Sequence, residues 1–447
     1  MNEINEDEIY LNLYGNTWET NVNNLYDYQS KEIKEFKALI KDKTIIKRKD
    51  QEIFEENSNE ENNEYIFNIK KSDNEKFIFE NNIEINMEQN QENISKINNK
   101  LWYVVNKNEK YYITKNDIIK LGRIKYIITE ESIYSGDIKY ELSIPENASS
   151  KINKLNYKKG NPFNLIKEIK VLDNEINNKT QEEKTLCKIC YSEEIDSLNN
   201  PMVHLCKCKG GLNYAHYGCI KHWMMANLSL RENNDKRVQT YFIPKFNCEI
   251  CKVPYPYKFK LSKNGNKIYE LIDIKRPKNN YIILESLEHI KENLDNNKFI
   301  HVINLINEKD IIIGRNNNSD IKINDISVSR VHAKFNFNFN NKSLLITDLH
   351  SKFGTLVLIK DKFELKNKEC LYIQAGRTLF KAEIIKKRIN EEKNKINEDK
   401  NNISEEAKTS NNNINENELN ENNISEKEIN NKGENINEIN ENNMEIV

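Results

Sequence analysis

The sequence lacks a long apolar run, an excess of one charge and a leader-like start. No apolar run approaches the ~20 residues of a membrane-spanning helix, so no membrane span is expected. The 68 basic and 70 acidic residues give a net charge of -2, so no overall charge signal for nucleic acid exists. The acidic N-terminus, MNEINEDEIY, lacks the basic-then-apolar order of a signal peptide. We therefore expect a cytoplasmic or nuclear protein, in a reducing compartment that disfavours disulfides.

Hydrophobic content is also low, at 37%, against 31% charged residues in a chain of 447. This composition is too polar for one continuous core and predicts folded islands separated by solvated chain. We interpret 1–95 as mostly flexible and low in complexity, 96–145 as a small β-rich element, and 388–447 as a disordered tail. Linkers are predicted at 146–183 and 261–280.

The clearest β signal lies between 281 and 387. Phe335, Phe337 and Phe339 alternate with asparagines, and a polar turn at Asn340-Asn341 precedes a second apolar run. Alternation with a period of two on both sides of a short turn predicts a β-hairpin with one buried face.

Seven of the eight cysteines lie between residues 187 and 251. With one histidine they form four close pairs: Cys187 and Cys190, Cys206 and Cys208, His216 and Cys219, and Cys248 and Cys251. Eight such ligands are what two tetrahedral zinc ions require. A redox role is disfavoured because no βαβ pattern surrounds the pairs, and a nucleophile because no thiol in the block is left over.

The spacing resembles the RING-CH (RING-variant) zinc finger. The matching features are the Cys-x-Cys pair, the seven residues before His216, and Trp223 four residues after Cys219. The plant homeodomain finger shares the ligand order but has a shorter segment before its histidine, so it is the lesser match. The 28 residues between Cys219 and Cys248 are more than is usual in RING-CH domains, and we expect an exposed insertion near SLRENNDK.

The resemblance implies a zinc cross-brace with a RING-like α+β fold. It assigns Cys187, Cys190, His216 and Cys219 to one zinc ion, and Cys206, Cys208, Cys248 and Cys251 to the other. Such domains are typically E3 ubiquitin ligases, transferases that dock a ubiquitin-charged conjugating enzyme and form no covalent intermediate themselves. The corresponding docking residues are Ile189, Trp223, Pro254 and Lys252. For Ile189 and Trp223 the alternative is simple packing in a small core.

A second set of motifs, from 311 to 358, resembles a forkhead-associated (FHA) domain, an all-β sandwich. It comprises Gly314-Arg315 after a strand, Ser329-Arg330-x-His332, and an S-x-x-G-T turn. The resemblance implies that Arg315 and Ser329 bind the phosphate of phosphothreonine, that Gly314 and Phe353 belong to the same phosphopeptide site, and that His332 holds the loops. Phe353 departs from the family, which usually has a peptide-anchoring Asn there, so weaker sequence selectivity or lost binding is the alternative.

The sequence therefore predicts a multidomain protein: a zinc cross-brace and an FHA sandwich between a disordered N-terminal region and a disordered tail. The expected function is an E3 ubiquitin ligase whose FHA domain recruits phosphothreonine substrates. One rival is a non-enzymatic phosphopeptide scaffold. Another is a thiol-relay ligase using Cys370, although a buried structural cysteine is expected there. Residues 117–130 also mirror 372–385, which suggests a second, degenerate sandwich in which Arg123 is a turn residue.

Overall fold

The structure is a computed structural model. It describes residues 7–19, 32–49, 52–56, 64–72, 76–80, 101–105, 111–145, 167–169, 186–193, 199–232, 237–261, 267–287, 290–292, 295–306, 309–359, 362–365 and 370–388. The predicted tail, 388–447, lies outside these residues except for its first, and so does most of the linker predicted at 146–183. Within the described residues the fold is predominantly β, as expected.

The N-terminal region contains β-strands, so its interpretation as mostly flexible was wrong. The strands are β1 (Asp7–Thr17), β2 (Lys34–Ile40), β3 (Thr44–Lys49), β4 (Glu52–Glu56), β5 (Glu64–Ser72) and β6 (Lys76–Glu80). In β6, buried Phe77 and Phe79 alternate with partly exposed neighbours, the pattern of a half-buried strand. The Asn- and Glu-rich segments between the strands dominate the composition and obscured this alternation.

The middle of the chain combines more strands with one zinc-finger-like segment. The next strands are β7 (Leu101–Val105), β8 (Tyr111–Ile113), β9 (Ile118–Leu121), β10 (Ile124–Ser135), β11 (Ile138–Tyr140) and β12 (Lys167–Ile169). The cysteine-rich segment contains β13 (Met202–Val203), a 3-10 turn (Gly210–Leu212), β14 (Ala215–His216), helix α1 (Tyr217–Ala226), β15 (Ser229–Glu232), β16 (Val238–Pro244), β17 (Lys258–Leu261) and β18 (Ile268–Glu270). Among the described residues no helix is long and apolar enough to cross a membrane.

The last part of the chain is again composed of strands. They are β19 (Tyr281–Ser286), β20 (Ile290–Glu292), β21 (Asp295–Asn304), β22 (Ile311–Gly314), β23 (Ile321–Lys322), β24 (Ala333–Asn338), β25 (Ser343–Asp348), β26 (Thr355–Leu358), β27 (Lys362–Leu365), β28 (Cys370–Ala375) and β29 (Thr378–Arg388). The predicted hairpin is present: β24 pairs antiparallel with β25 from Asn338 opposite Ser343. Phe335 and Phe337 are buried in the core, as the alternation predicted.

One large sheet runs through the protein, in the order β15-β16-β21-β19-β10-β9-β26-β7-β28-β29-β1-β2. Two five-stranded sheets, β4-β3-β5-β6-β27 and β23-β22-β24-β25-β8, supply the opposing layers. A core of buried aliphatic and phenylalanine side chains draws on all three sheets. The result is two β-sandwiches that share the large sheet and meet where β7 pairs with β26.

The two sandwiches exchange their last strands within the chain. The N-terminal sandwich consists of β1–β7 and is completed by β27, β28 and β29, which pair with β6, β7 and β1. The C-terminal sandwich consists of β19 and β21–β26 and is completed by β8, β9 and β10, which pair with β25, β26 and β19. The β-rich region predicted at 281–387 is therefore divided between the two sandwiches. Each closing hairpin has the pattern Gly-Arg-x-x-aromatic, so local sequence does not reveal which sandwich it enters.

The zinc-finger segment is joined to the large sheet rather than tethered by a linker. Strand β16, inside the insertion after Cys219, pairs with β21 along its whole length. Residues 261–280, predicted as a linker, bury Tyr269, Leu271, Ile272 and Ile274 in a second core. Strand β15, where an exposed insertion was expected, is exposed at all four residues, whereas most residues of β16 are buried. The composition did not indicate this burial, because the polar segments KNGNK (263–267) and RPKNN (276–280) flank the buried apolar residues.

The strand exchange can be tested with two matched substitutions. Tyr126 and Phe380 lie four residues after the glycine of their hairpins, and both are fully buried. The Tyr126 ring lies 5.4 Å from His301, and the Phe380 ring 5.1 Å from Phe67. Either change to Ala should cost roughly 3–5 kcal/mol of local stability, as for other buried aromatic side chains.

Hydrogen exchange on the full chain would locate each effect. Tyr126→Ala should accelerate exchange in β19 and β21, whereas Phe380→Ala should do so in β1 and β5. The reverse pattern would show that each sandwich keeps its own hairpin.

Candidate functional site

The first ligand cluster brings together Cys187, Cys190, His216 and Cys219. His216 ends β14 and caps α1, so Cys219 lies in the first turn of that helix. The four ligand atoms lie within 4.8 Å of one another, with His216 Nδ1 3.3 Å from Cys190 Sγ. Tetrahedral Zn–S bonds of about 2.3 Å place two sulfurs roughly 3.8 Å apart, so this spacing fits a zinc ion.

The second cluster contains Cys206, Cys208, Cys248 and Cys251, whose sulfurs also lie within 4.8 Å of one another. Cys208 Sγ is 3.6 Å from Cys248 Sγ. The Lys188 ammonium approaches Cys206 Sγ at 3.4 Å, so it offsets part of the negative charge of a four-thiolate site. Lys188 was not anticipated, because its role depends on a fold that brings the first pair beside the second cluster.

The thiols of each cluster differ in acidity when no cation is present. Burial raises the pKa of Cys208 and of Cys219 to about 12. Burial also opposes ionisation of Cys248, but hydrogen bonds from Tyr255 and the backbone outweigh it and lower the pKa of Cys248 to about 5. Zn²⁺ supplies the positive charge that allows all the thiols to ionise, so both donor sets fit the metal.

The pairs are interleaved along the chain, as the cross-brace requires. The first and third pairs form one site, and the second and fourth form the other. This confirms the two predicted ligand clusters. His204 and His222, the remaining histidines of this segment, belong to neither cluster.

The predicted docking residues differ in how far their side chains are exposed to solvent. Ile189 is 44% exposed, and Lys252 and Pro254 are also exposed. Trp223 is partly buried, with its ring 5.4 Å from Phe246 and 6.2 Å from Tyr255, so it packs in the module as well as reaching its surface.

Ile250 is an exposed residue that the sequence analysis missed. It is 56% exposed and precedes the second cysteine of its pair, as Ile189 does. This repeated position was the signal that could have identified it.

The FHA motif residues come together on two loops of the C-terminal sandwich. Arg315 N donates to Ser329 O at 2.9 Å, and Asn316 N donates to Arg330 O at 3.0 Å. A Cβ atom on Gly314 would lie 2.3 Å from Arg330 O, so this close approach requires glycine. The Arg315 side chain is exposed, and its Nε donates to Val328 O at 3.3 Å.

His332 links three segments of this site. It is fully buried; its Nδ1 accepts from Ser329 N at 3.1 Å, and its Nε2 donates to Gly354 O at 3.1 Å. Burial lowers the pKa of His332, which favours the neutral ring that this pattern needs. These two hydrogen bonds join the loop of Ser329 to the turn at Gly354.

The S-x-x-G-T turn borders the same loops. Ser329 Oγ accepts from Lys352 N at 2.9 Å, which places Phe353 one residue from this contact. Phe353 is partly buried, and Lys352 Nζ lies 5.6 Å from its ring. Its side chain has no hydrogen-bonding group with which to hold a peptide backbone.

Cys370 lies at the start of β28, in the N-terminal sandwich, and is exposed. The expectation of a buried structural cysteine there was therefore wrong. Its position at the first residue of the strand explains the exposure.

Comparison with known proteins identifies both modules. Residues 187–251 match the family model of the RING-variant domain, and residues 311–376 that of the FHA domain. E3 ubiquitin-protein ligase MARCHF7 of Pongo abelii, like that of Mus musculus, is 32% identical over 91 residues, 20% of this chain. ERAD-associated E3 ubiquitin-protein ligase DOA10 of Saccharomyces cerevisiae is 28% identical over 79 residues, 17% of this chain. The chain spans 11% and 5% of the length of these relatives.

The protein thus contains a RING-variant domain with two zinc sites, together with an FHA domain. The RING-variant match favours this family over the plant homeodomain finger. The FHA match extends to residue 376, although β27 and β28 complete the N-terminal sandwich.

The zinc assignment predicts the metal content of the full chain. Protein purified without chelator should carry two zinc ions, and Cys206→Ser should lose zinc and expose the RING-variant core, because a closed site cannot spare a thiolate. Acidification should also release the metal, since protons compete for the ligand thiolates.

Elemental analysis and hydrogen exchange would test these outcomes. Cys370→Ser is the matched control, because it removes a thiol outside both clusters and should retain two zinc ions. A folded metal-free form, or one zinc ion per wild-type chain, would contradict the assignment.

Proposed function

We propose that this protein, which carries a RING-variant and an FHA domain, is an E3 ubiquitin-protein ligase that recruits phosphothreonine substrates. The observation that carries the proposal is the pair of interleaved zinc sites, each presenting an exposed isoleucine. The relatives that share the RING-variant segment are themselves E3 ubiquitin-protein ligases. Because those relatives are much longer proteins, the activity of this chain needs its own test.

The docking face of the ligase would be formed by Ile189, Ile250, Pro254 and the exposed edge of Trp223. Exposed aliphatic and aromatic side chains on a rigid frame are suited to protein contacts. Lys252 lies beside this face and would supply a cation for ubiquitin. The chemistry would stay on the thioester of the conjugating enzyme, so the chain would contribute no catalytic side chain.

The C-terminal sandwich would select the substrate. A phosphate group carries roughly −1.5 to −2 charges at neutral pH and three acceptor oxygens. The exposed Arg315 guanidinium can bind two of these oxygens through paired donors, and Ser329 lies on the adjoining loop. Gly314 allows the two loops to approach, and Phe353 would border the peptide.

The shared sheet would fix the geometry of transfer. Strand β16 of the RING-variant domain pairs with β21 of the C-terminal sandwich, and the domain and the sandwich share a buried core. A bound substrate would therefore be held at a set position relative to the docked conjugating enzyme. Lysines at a suitable distance from the phosphothreonine would be modified in preference to others.

The rival reading is a phosphopeptide scaffold without ligase activity. It would bind phosphopeptides but would not stimulate ubiquitin transfer by any conjugating enzyme. A thiol-relay ligase is a further rival, because Cys370 is exposed. Cys370→Ser should leave ubiquitin transfer unchanged if the proposal holds.

Ubiquitin-chain assays with a panel of conjugating enzymes would test the docking face. Ile189→Ala and Ile250→Ala should each reduce chain formation about 30-fold or more, as expected for an interface hot spot worth about 2 kcal/mol. Both variants should keep two zinc ions. Trp223→Ala should also lower the melting temperature, since Trp223 packs on Phe246 and Tyr255.

Ile138→Ala is the matched control for these variants, because Ile138 is a 60% exposed isoleucine on β11, outside the RING-variant domain. It should retain full activity. Wild-type activity in both isoleucine variants would exclude this docking face, and zinc loss in either would assign that residue to the core.

Titration of the full chain with a degenerate phosphothreonine peptide library would test the proposed phosphopeptide site. Arg315→Ala should weaken binding by about 10- to 150-fold, the cost of losing a charge-assisted contact of roughly 1.5–3 kcal/mol. Ser329→Ala should cost less, because its hydroxyl is neutral. Arg231→Ala, which removes an exposed arginine from β15, is the charge-matched control and should bind normally.

Substitution of Phe353 distinguishes a lost anchor from an adapted one. Phe353→Asn should tighten binding and sharpen selection among flanking residues if the phenylalanine has merely replaced an anchor. Weaker binding would show that Phe353 itself packs on the peptide. If the wild-type chain binds no phosphopeptide, the proposal that the C-terminal sandwich binds phosphothreonine is refuted.

A further inference from the structure

The turn between β9 and β10 lies against the loop that carries Ser329, although 204 residues separate Arg123 from Ser327. We name residues 323–329 the phosphate loop. Arg123 Nε and one terminal nitrogen of its guanidinium each lie 2.8 Å from Asp325 Oδ2. Arg123 N also donates to Ser327 Oγ at 2.9 Å. A Cβ atom on Gly122 would lie 2.4 Å from Ser327 O, so the two backbones are in direct contact.

Asp325 connects Arg123 to the rest of the phosphate loop through hydrogen bonds. Its side chain is only 3% exposed, and its Oδ1 accepts from Ser327 Oγ at 2.6 Å and from Ser327 N at 2.9 Å. Val328 N donates to Asp325 O at 3.0 Å, and Val328 O accepts from Arg315 Nε. A continuous series of hydrogen bonds therefore joins Arg123 to the guanidinium expected to bind phosphate.

The N-terminal sandwich shows the alternative arrangement. Its β3 corresponds to β22 in strand order, and Arg48 follows Ile-Ile-x as Arg315 does. Arg48 is buried; its guanidinium donates to Ala375 O at 2.7 Å and to Thr378 Oγ1 at 3.0 Å, both in the β28–β29 hairpin. The hairpin of this sandwich thus engages the arginine itself, whereas the β9–β10 hairpin engages Asp325 and leaves Arg315 exposed.

We propose that Arg123 is a positioning residue of the phosphopeptide site in the C-terminal sandwich. The N-terminal half of the chain supplies this residue through the strand exchange. The inference rests on the proposed phosphopeptide binding. Arg123 holds the phosphate loop in its binding conformation through Asp325. It also neutralises a carboxylate that would otherwise repel the doubly charged phosphate.

The test compares three variants of the full chain. Arg123→Gln removes the ion pair, Arg123→Lys keeps the charge, and Arg377→Gln makes the same change at the equivalent turn of the other hairpin. Affinity for a degenerate phosphothreonine peptide library and hydrogen exchange across 323–332 are measured for each. Zinc content and melting temperature serve as controls for folding.

Arg123→Gln should weaken binding about three- to tenfold, as expected if the loop is competent for only about 10–30% of the time. It should accelerate exchange across 323–332 more than it lowers the melting temperature, because Asp325 keeps its hydrogen bonds to Ser327 and the loss is confined to this loop. Arg123→Lys should recover part of the affinity, and Arg377→Gln should match wild type. Asp325→Asn combined with Arg123→Gln should cost less than the sum of the single changes.

Three results would overturn the inference. The first is unchanged exchange and affinity in Arg123→Gln, and the second is an equal loss in Arg377→Gln. The third is a fall in melting temperature without a change in affinity, which would assign Arg123 a purely structural role. If the wild-type chain binds no phosphopeptide, the proposed function fails. Loop exchange then still decides whether Arg123 positions residues 323–329.

Discussion

Burial of β19 on both faces is the constraint on which the rest of the structure depends. Its six residues are all buried, and the first four alternate between two apolar cores. Ile282 and Leu284 point into the sandwich core, whereas Tyr281 and Ile283 join the core beneath the zinc sites. A strand with two apolar faces must be covered on both sides. The sandwich and the RING-variant domain therefore stabilise each other through one strand.

The zinc sites stabilise the short loops of the RING-variant domain, whereas the shared sheet joins this domain to the sandwich. The two metals fix short loops that contain little regular structure, and the interleaved pairs prevent either loop from opening independently. Beyond the loops, α1 contributes Ile220 and Met224 to the core that β19 and β21 complete. Metal coordination thus organises the loops of the proposed docking face, and apolar burial sets the orientation of these loops relative to the sandwich.

Because of the strand exchange, both halves of the chain contribute to the proposed phosphopeptide site. The sandwich that carries Arg315 is completed by β8, β9 and β10, while the strands that follow its own motif complete the other sandwich. The two hairpins then act on different partners, Asp325 in one case and Arg48 in the other. This difference accounts for the exposure of Arg315, which we propose binds phosphate, and for the burial of Arg48.

The residue pattern was enough to predict the two groups of four metal ligands, the β24–β25 hairpin and the motif residues around Arg315, because each depends on residues at short spacing along the chain. It did not reveal the strands of residues 7–80, whose alternation is diluted by Asn- and Glu-rich segments. The folded chain sets the partners of the two Gly-Arg hairpins, the contact of Arg123 with Asp325, and the burial of Tyr269, Leu271, Ile272 and Ile274. Strand pairing between distant segments depends on which apolar faces meet in the folded chain, and no local pattern records that choice.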